Sequence, residues 1–130
     1  MRTSFLLLFS ILIFSHSCKK SQTSYQALAQ EKLGEGVEYL SNEEESLMLC
    51  SKKTKNLNSP INSIKYFVFD IKKQEILIED IVENGTIKWF DERRLEIFFV
   101  PGMMGAQQTR DDYTFILDVD TKEKVRKTEL

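Results

Sequence analysis

From Val37 onward the chain is a succession of short runs rich in β-branched and aromatic residues, separated by turn-forming residues. That pattern limits the fold more than any other feature. The runs cover residues 37–41, 46–52, 63–71, 74–82, 86–90, 94–100, 112–119 and 123–128. Ile64-Lys65-Tyr66-Phe67-Val68-Phe69 has the composition that packs well on a pleated surface. Ile87 and Trp89 alternate with Lys88, the pattern of a strand with one buried face. Glu83-Asn84-Gly85-Thr86 contains Asn-Gly, a strong hairpin signal, and Asp91-Glu92-Arg93-Arg94 reads as a second, charged turn. Short strands joined by tight turns make an antiparallel meander, not a βαβ protein. Ahead of them, Tyr25, Leu28 and Ala29 share a helical face, Ser24 is a suitable N-cap and Gly34 a suitable stop, so residues 25–33 are expected to be a short helix. The expected fold is mainly β: a small antiparallel meander, either a curled sheet or a small sandwich of two blade-like halves, preceded by that helix.

The two halves come from an internal repeat at a spacing of 48. Leu47, Phe67, Asp70 and Glu75 recur as Leu95, Phe115, Asp118 and Glu123, and Glu44 recurs as Glu92. Phe67-Val68-Phe69-Asp70-Ile71 also lines up with Phe115-Ile116-Leu117-Asp118-Val119. Asp118-Val119-Asp120-Thr121-Lys122-Glu123 is similar to the inter-strand turns of β-propeller blades, and the spacing is near blade size. A propeller closes with about four to eight blades, so two such units do not complete one.

At the N-terminus, Arg2 precedes an apolar run from Phe5 to Phe14 that only Ser10 interrupts. A run this short suits a signal peptide; a spanning helix needs roughly 20 apolar residues. Ser15-His16-Ser17 leads into Cys18, followed by Lys19 and Lys20. Residues 1–20 resemble the lipoprotein signal peptides of Gram-negative bacteria. The resemblance implies cleavage before Cys18 and acylation of its thiol and new amino group. That family prefers Leu three residues before the cysteine, where this chain has Ser15, and Ser15-His16-Ser17 also fits the small-x-small site of ordinary secretion. One acyl chain gives marginal membrane binding, whereas the several chains of the family make a stable anchor. Lys19 after the cysteine favours the outer membrane by the family's sorting rule. The expected organisation is a signal peptide at 1–17, a lipid-anchored tether at 18–24 and one β-rich domain at 25–130. The expected place is the cell envelope, on the outer membrane facing the periplasm, with a secreted domain as the alternative.

Cleavage takes only Arg2 among the charged residues, so 17 basic residues stand against the 20 acidic ones and the mature formal charge is −3. No basic face stands out, and nucleic acid is not an expected partner. The single histidine, His16, leaves with the signal. Ser-His and Cys-His nucleophile pairs, His-based proton transfer and most zinc sites go with it. No G-x-S-x-G, phosphate-binding glycine loop or Cys-x-x-Cys is present. Carboxylates at Glu43-Glu44-Glu45, Glu79-Asp80, Asp91-Glu92, Asp111-Asp112, Asp118 and Asp120 keep a carboxylate hydrolase open as a third reading, but most fall at turns, where they solvate and cap the backbone. Asp118 and Asp120 lack the glycine and terminal glutamate of a calcium loop. No metal, cofactor or catalytic residue is assigned. With Cys18 acylated, Cys50 lies unpaired in Leu47-Met48-Leu49-Cys50 and reads as a small buried hydrophobe.

Binding candidates fall in two loops that the repeat makes equivalent. Residues 52–62 carry Lys52, Lys53 and Lys55; residues 101–111 carry Met103 and Met104 between glycines, and Arg110. Loops on a rigid sheet are common binding elements. The expected function is a non-enzymatic envelope lipoprotein that binds an envelope protein or polymer. The alternative is an inhibitor of an envelope hydrolase. Labelled fatty acid is expected to attach to the wild-type protein in cells and not to Cys18→Ala. An unlabelled wild type, or equal labelling of Cys18→Ala, would reduce the chain to a secreted domain.

Overall fold

The computed structural model describes residues 24–55 and 57–130. The signal segment, Cys18 and all of the tether except Ser24 lie outside the described residues. Helix α1 spans Ser24–Leu33 and is followed by β1 (Glu38–Ser41), β2 (Leu47–Lys55), β3 (Asn62–Asp70), β4 (Glu75–Glu83), β5 (Gly85–Trp89), β6 (Arg94–Phe99), β7 (Thr114–Asp118) and β8 (Lys124–Arg126). Two four-stranded antiparallel sheets result, ordered β1-β2-β3-β4 (sheet A) and β5-β6-β7-β8 (sheet B), and they do not close into a barrel. The fold is mainly β with a short helix in front, as the sequence pattern requires.

Alternation sets the layers. Leu47, Leu49, Ile64, Tyr66, Val68 and Val82 of sheet A pack against Leu95, Ile97, Leu117 and Val119 of the second half to form the inter-sheet core. The opposite face of sheet A presents Cys50, Phe67 and Phe69, covered by Tyr25, Leu28, Ala29 and Leu33 of α1. The helical spacing of those four residues makes one apolar stripe. Sheet A is therefore covered on both faces, and its central strand β3 is almost continuously buried from Tyr66 to Asp70. At the helix end, Gly34 takes a φ of +81° and donates its N–H to Gln30 O at 3.0 Å, the left-handed stop that glycine adopts without strain.

The repeat is present in three dimensions. Each half is a four-stranded meander with the same strand order. Lys73 N–H donates to Asp70 Oδ1 at 2.8 Å, and Thr121 N–H donates to Asp118 Oδ1 at 2.9 Å. Gln74 and Lys122, 48 residues apart, share a left-handed φ of 57° and 62°. The halves differ by one residue in the first turn. Asn42 N–H reaches Leu47 O at 3.2 Å, whereas Phe90 N–H reaches Arg94 O at 2.8 Å, which shifts the β6–β7 register by one.

The Asn-Gly signal does not mark a hairpin. β4 and β5 belong to different sheets and do not pair. Asn84, at φ 50°, is instead the point where the backbone changes sheets. Its N–H donates to Asn62 O of sheet A at 2.6 Å, and its carbonyl accepts from Val100 N–H at the end of β6 at 2.7 Å. Asn-Gly reports a tolerance for left-handed backbone, and that tolerance is used here for a crossover. Gly85 is required by a close approach: a Cβ there would lie 2.0 Å from Phe98 O. Gly85→Ala is expected to cost about 2 kcal/mol or more in urea unfolding, while Asn84→Gly stays within about 1 kcal/mol of wild type. Equal stability of Gly85→Ala and wild type would remove the close approach from the account.

Candidate functional site

The junction at Asn84 places the two candidate loops at one end of the molecule. One loop runs from the end of β2 to Asn62, the other from Val100 to the 3-10 turn at Arg110–Tyr113. Asn62 and Val100 are the two residues that Asn84 clasps, so both loops rise from a single root. The expectation that they share a rim rests on that geometry.

The first loop is shorter than 52–62. Lys52, Lys53 and Lys55 belong to β2 and pair with Lys65, Ile64 and Asn62 of β3. Beyond Lys52 the strand outruns its covering layers, and Lys53, Thr54 and Lys55 are all exposed. Alternation puts Lys52 on the helix face and Lys53 on the other. Lys52 Nζ lies 3.3 Å from the position of a Cβ on Gly34, beside the carbonyl end of α1, where a cation is favourable. It completes the helix end and is not part of the rim. Lys53 and Lys55 are exposed at the rim edge.

Leu57 is fully exposed, and Ile61 is half exposed. On the second loop Met103 is 89% exposed and Met104 50%, with Val100 at 46%. Neither methionine tucks under the core. The loop is braced from within. Gly105 N–H donates to Gln108 Oε1 at 2.8 Å, Gln108 N–H donates to Gly105 O at 3.0 Å, and the Tyr113 hydroxyl contacts Gln108 Oε1. Thr109 and Asp112 close the following turn with a reciprocal cap. Arg110 lies over the Phe98 ring at 3.8 Å, a cation–π contact that fixes an exposed guanidinium at the foot of the loop. The lysines were visible in the sequence by charge and the methionines by their glycine flanks. Leu57 and Ile61, isolated apolar residues among polar ones, carried no such signal.

The helix N-terminus lies at the other end. The Ser24 hydroxyl contacts Gln74 in the β3–β4 turn, while the first loop precedes Asn62 at the opposite end of β3. The nine residues of β3 separate these ends by roughly 25–30 Å.

That other end is acidic and tightly bonded. Arg93 Nε donates to Asp120 Oδ2 at 2.7 Å, and Arg94 Nε donates to Asp91 Oδ2 at 2.7 Å. The Arg93 hydrogen bond holds the Asp120 carboxyl below its usual range. Burial pulls the Asp91 carboxyl up, but the Arg94 side chain and the N–H groups of Arg93 and Arg94 outweigh it and hold it low. Asp118 Oδ1 accepts the N–H groups of Asp120 and Thr121, so Asp118 and Asp120 serve the turn. Among the described residues no three His, Cys, Asp or Glu side chains converge as a metal-binding group. Asn42, which the sequence did not single out, is 3% exposed. Its Oδ1 accepts from Ser46 and Leu47 N–H, and its Nδ2 donates to Ser46 Oγ and Glu92 O. Trp89 packs partly against the core and donates Nε1–H to Leu40 O at 2.8 Å. Together they tie the first hairpin of sheet A to that of sheet B, beside a cleft of about 380 Å³ that includes Leu40, Trp89 and Phe90.

Among the described residues no helix is long and apolar enough to cross a membrane. Comparison with protein families, with curated proteins and with solved structures gives no match.

Cys50 is fully buried and free, and burial pushes its thiol up to about 12. At pH 8 it is expected to react with a thiol reagent at least about a hundredfold more slowly in the native protein than in denaturant, read at the Cys50 peptide by mass spectrometry. Equal rates would contradict its packing between α1 and sheet A.

Proposed function

We propose that this protein is a lipid-anchored envelope protein acting as a non-enzymatic binding module, which presents the two-loop rim to a macromolecular partner. One observation carries the reading. Leu57, Ile61, Val100, Met103 and Met104 are all exposed, and all lie on the two loops clasped by Asn84. Large apolar side chains gathered on a supported rim are the usual anchors of a protein interface, and methionine adapts to varied partner surfaces. The position of Ser24 adds support. A tether entering there from an acylated Cys18 holds the domain by the end opposite the rim and leaves the loops pointing away from the membrane. Lys53, Lys55 and Arg110 beside the apolar residues suit a partner with carboxylate or phosphate groups at the edge of an apolar patch.

The internal brace of the second loop favours an inhibitor of an envelope hydrolase as a second reading, because a preordered loop inserts into a cleft at low entropic cost. Deleting residues 102–106 would then abolish inhibition with the fold intact.

A photo-activated cross-linker at Met103 is expected to capture a discrete partner in intact cells, whereas one at Glu44 is not. Combining Leu57→Glu with Met104→Glu should weaken that capture about tenfold or more. Equal capture at Glu44, no capture at Met103, or capture unaffected by the double change would overturn the rim as the binding surface.

A further inference from the structure

We infer that the open edge of β4, from Ile78 to Glu83, is a docking strand for an extended segment of another protein in which Lys or Arg alternates with apolar residues, and which adds to sheet A as a fifth strand.

The phase of the β4 backbone follows from one bond. Asn84 N–H donates to Asn62 O, so in the unbroken register the pairs Ile64–Val82, Tyr66–Asp80 and Val68–Ile78 share ladder hydrogen bonds. Glu79, Ile81 and Glu83 then turn their N–H and C=O groups to the open side. Ile81 agrees with this phase: its N–H, unused by β3, is met at 2.8 Å by Oδ1 of the preceding Asp80, a local bond that the carbonyl of an added strand replaces.

The edge is long and flat where it is open. β4 has nine residues, whereas the other edge strands, β1, β5 and β8, have four, five and three. Proteins blunt such edges with bulges, prolines, short strands or charged side chains, and the carboxylates of β4 repel acidic or like strands while leaving a basic one free to add. β4 has one bulge, between the Val68–Ile78 and Phe69–Ile76 pairs, and after it the register runs without a break to Glu83. Ile81 is 48% exposed. A hollow of about 380 Å³ that includes Leu33, Lys65 and Ile81 flanks the edge on the helix side. A second, of about 510 Å³, includes Ile76, Ile78 and Lys122.

Charge selects the occupant. β4 carries Glu75, Glu79, Asp80 and Glu83 and no basic residue. Antiparallel pairing of two β4 strands about Glu79 would set Glu79 against itself and Glu75 against Glu83, and like charges directly opposite are destabilising. A second copy of this chain is thus disfavoured. Glu79 has a solvent-exposed ion pair with Lys32 at 3.0 Å, a weak contact, while among the described residues Glu83, on the same face, forms none. Side chains alternate between the faces of a strand, so the basic residues of an added strand lie on the helix side, against Glu79 and Glu83, and its apolar residues lie on the other side, against Ile78. This is strand addition, in which backbone bonds give affinity and alternate side chains give specificity.

The test uses the full-length protein in detergent and two fluorescein-labelled octapeptides, one alternating Lys and Val and one alternating Glu and Val. Fluorescence anisotropy should show saturable binding of the Lys-Val peptide and at least tenfold weaker binding of the Glu-Val peptide. Ile81→Pro leaves every charge in place and removes an N–H that β3 does not use, a change edge strands tolerate. It should weaken Lys-Val binding at least tenfold with unchanged far-UV circular dichroism. If Ile81→Pro does not fold, Glu79→Lys combined with Glu83→Lys, both on the helix side of β4, decides, with Lys-Val binding lost and Glu-Val binding gained. The rim variant Met104→Glu should bind like wild type, which separates this surface from the rim. No binding by wild type, binding that the folded edge variant keeps, no peptide preference, or a dimer joined along β4 would each overturn the proposal.

Discussion

The architecture turns on the two backbone hydrogen bonds of Asn84. Its N–H closes the ladder of sheet A on Asn62, and its carbonyl opens the ladder of sheet B toward Val100. The chain therefore leaves one sheet and enters the next without a connecting loop, and neither backbone group is left unpaired. Such a crossover needs a left-handed residue, which Asn supplies at φ 50°, and a following residue without a side chain, which Gly85 supplies against Phe98 O. Because Asn62 and Val100 are also the roots of the two loops, the bonds that join the sheets gather the rim as well.

Much of this was legible, and the reasons differ by element. All eight strands fall where the β-branched runs and turn residues put them, because pleated alternation and turn chemistry are local properties. The helix was legible from the apolar face of Tyr25, Leu28 and Ala29. What Asn84-Gly85 joins was not, since the dipeptide specifies a backbone conformation and not a pairing partner. Lys52, Lys53 and Lys55 read as loop because a strand that outruns its covering layers loses its hydrophobic face, and with it the only signal of its period. Asn42 carried no pattern at all. Three of its four hydrogen bonds close its own turn, to Ser46 and Leu47, and the fourth, to Glu92 O, exists only because the tertiary fold brings the two hairpins together.

The repeat explains why two sheets of one design pack together yet serve differently. Both halves keep the turn anchored by Asp70 and Asp118 and the left-handed residue four positions on. They diverge at their outer layers. Sheet A buries Phe67, Phe69 and Cys50 beneath α1. In sheet B the outer-face carboxylate Glu96 is paired with Lys88 and Lys127, and Phe98 on the same face lies under Arg110. A meander that must cover a second apolar face needs the helix; one that covers itself with long basic side chains does not.

The two proposed surfaces meet at the same residue. The open stretch of β4 ends at Glu83, one position before Asn84, and the loops begin on either side of it. β4 runs toward the rim, so a strand added antiparallel to it starts at the rim and runs back toward the end that holds Ser24. A segment lying on the edge would thus bring the chain that precedes it directly onto Leu57, Ile61 and the methionine loop. On these two proposals the apolar rim and the acidic edge would act on consecutive parts of one partner. Affinity drawn from backbone pairing on β4 would raise the local concentration of that partner at the loops, where side-chain fit sets its identity.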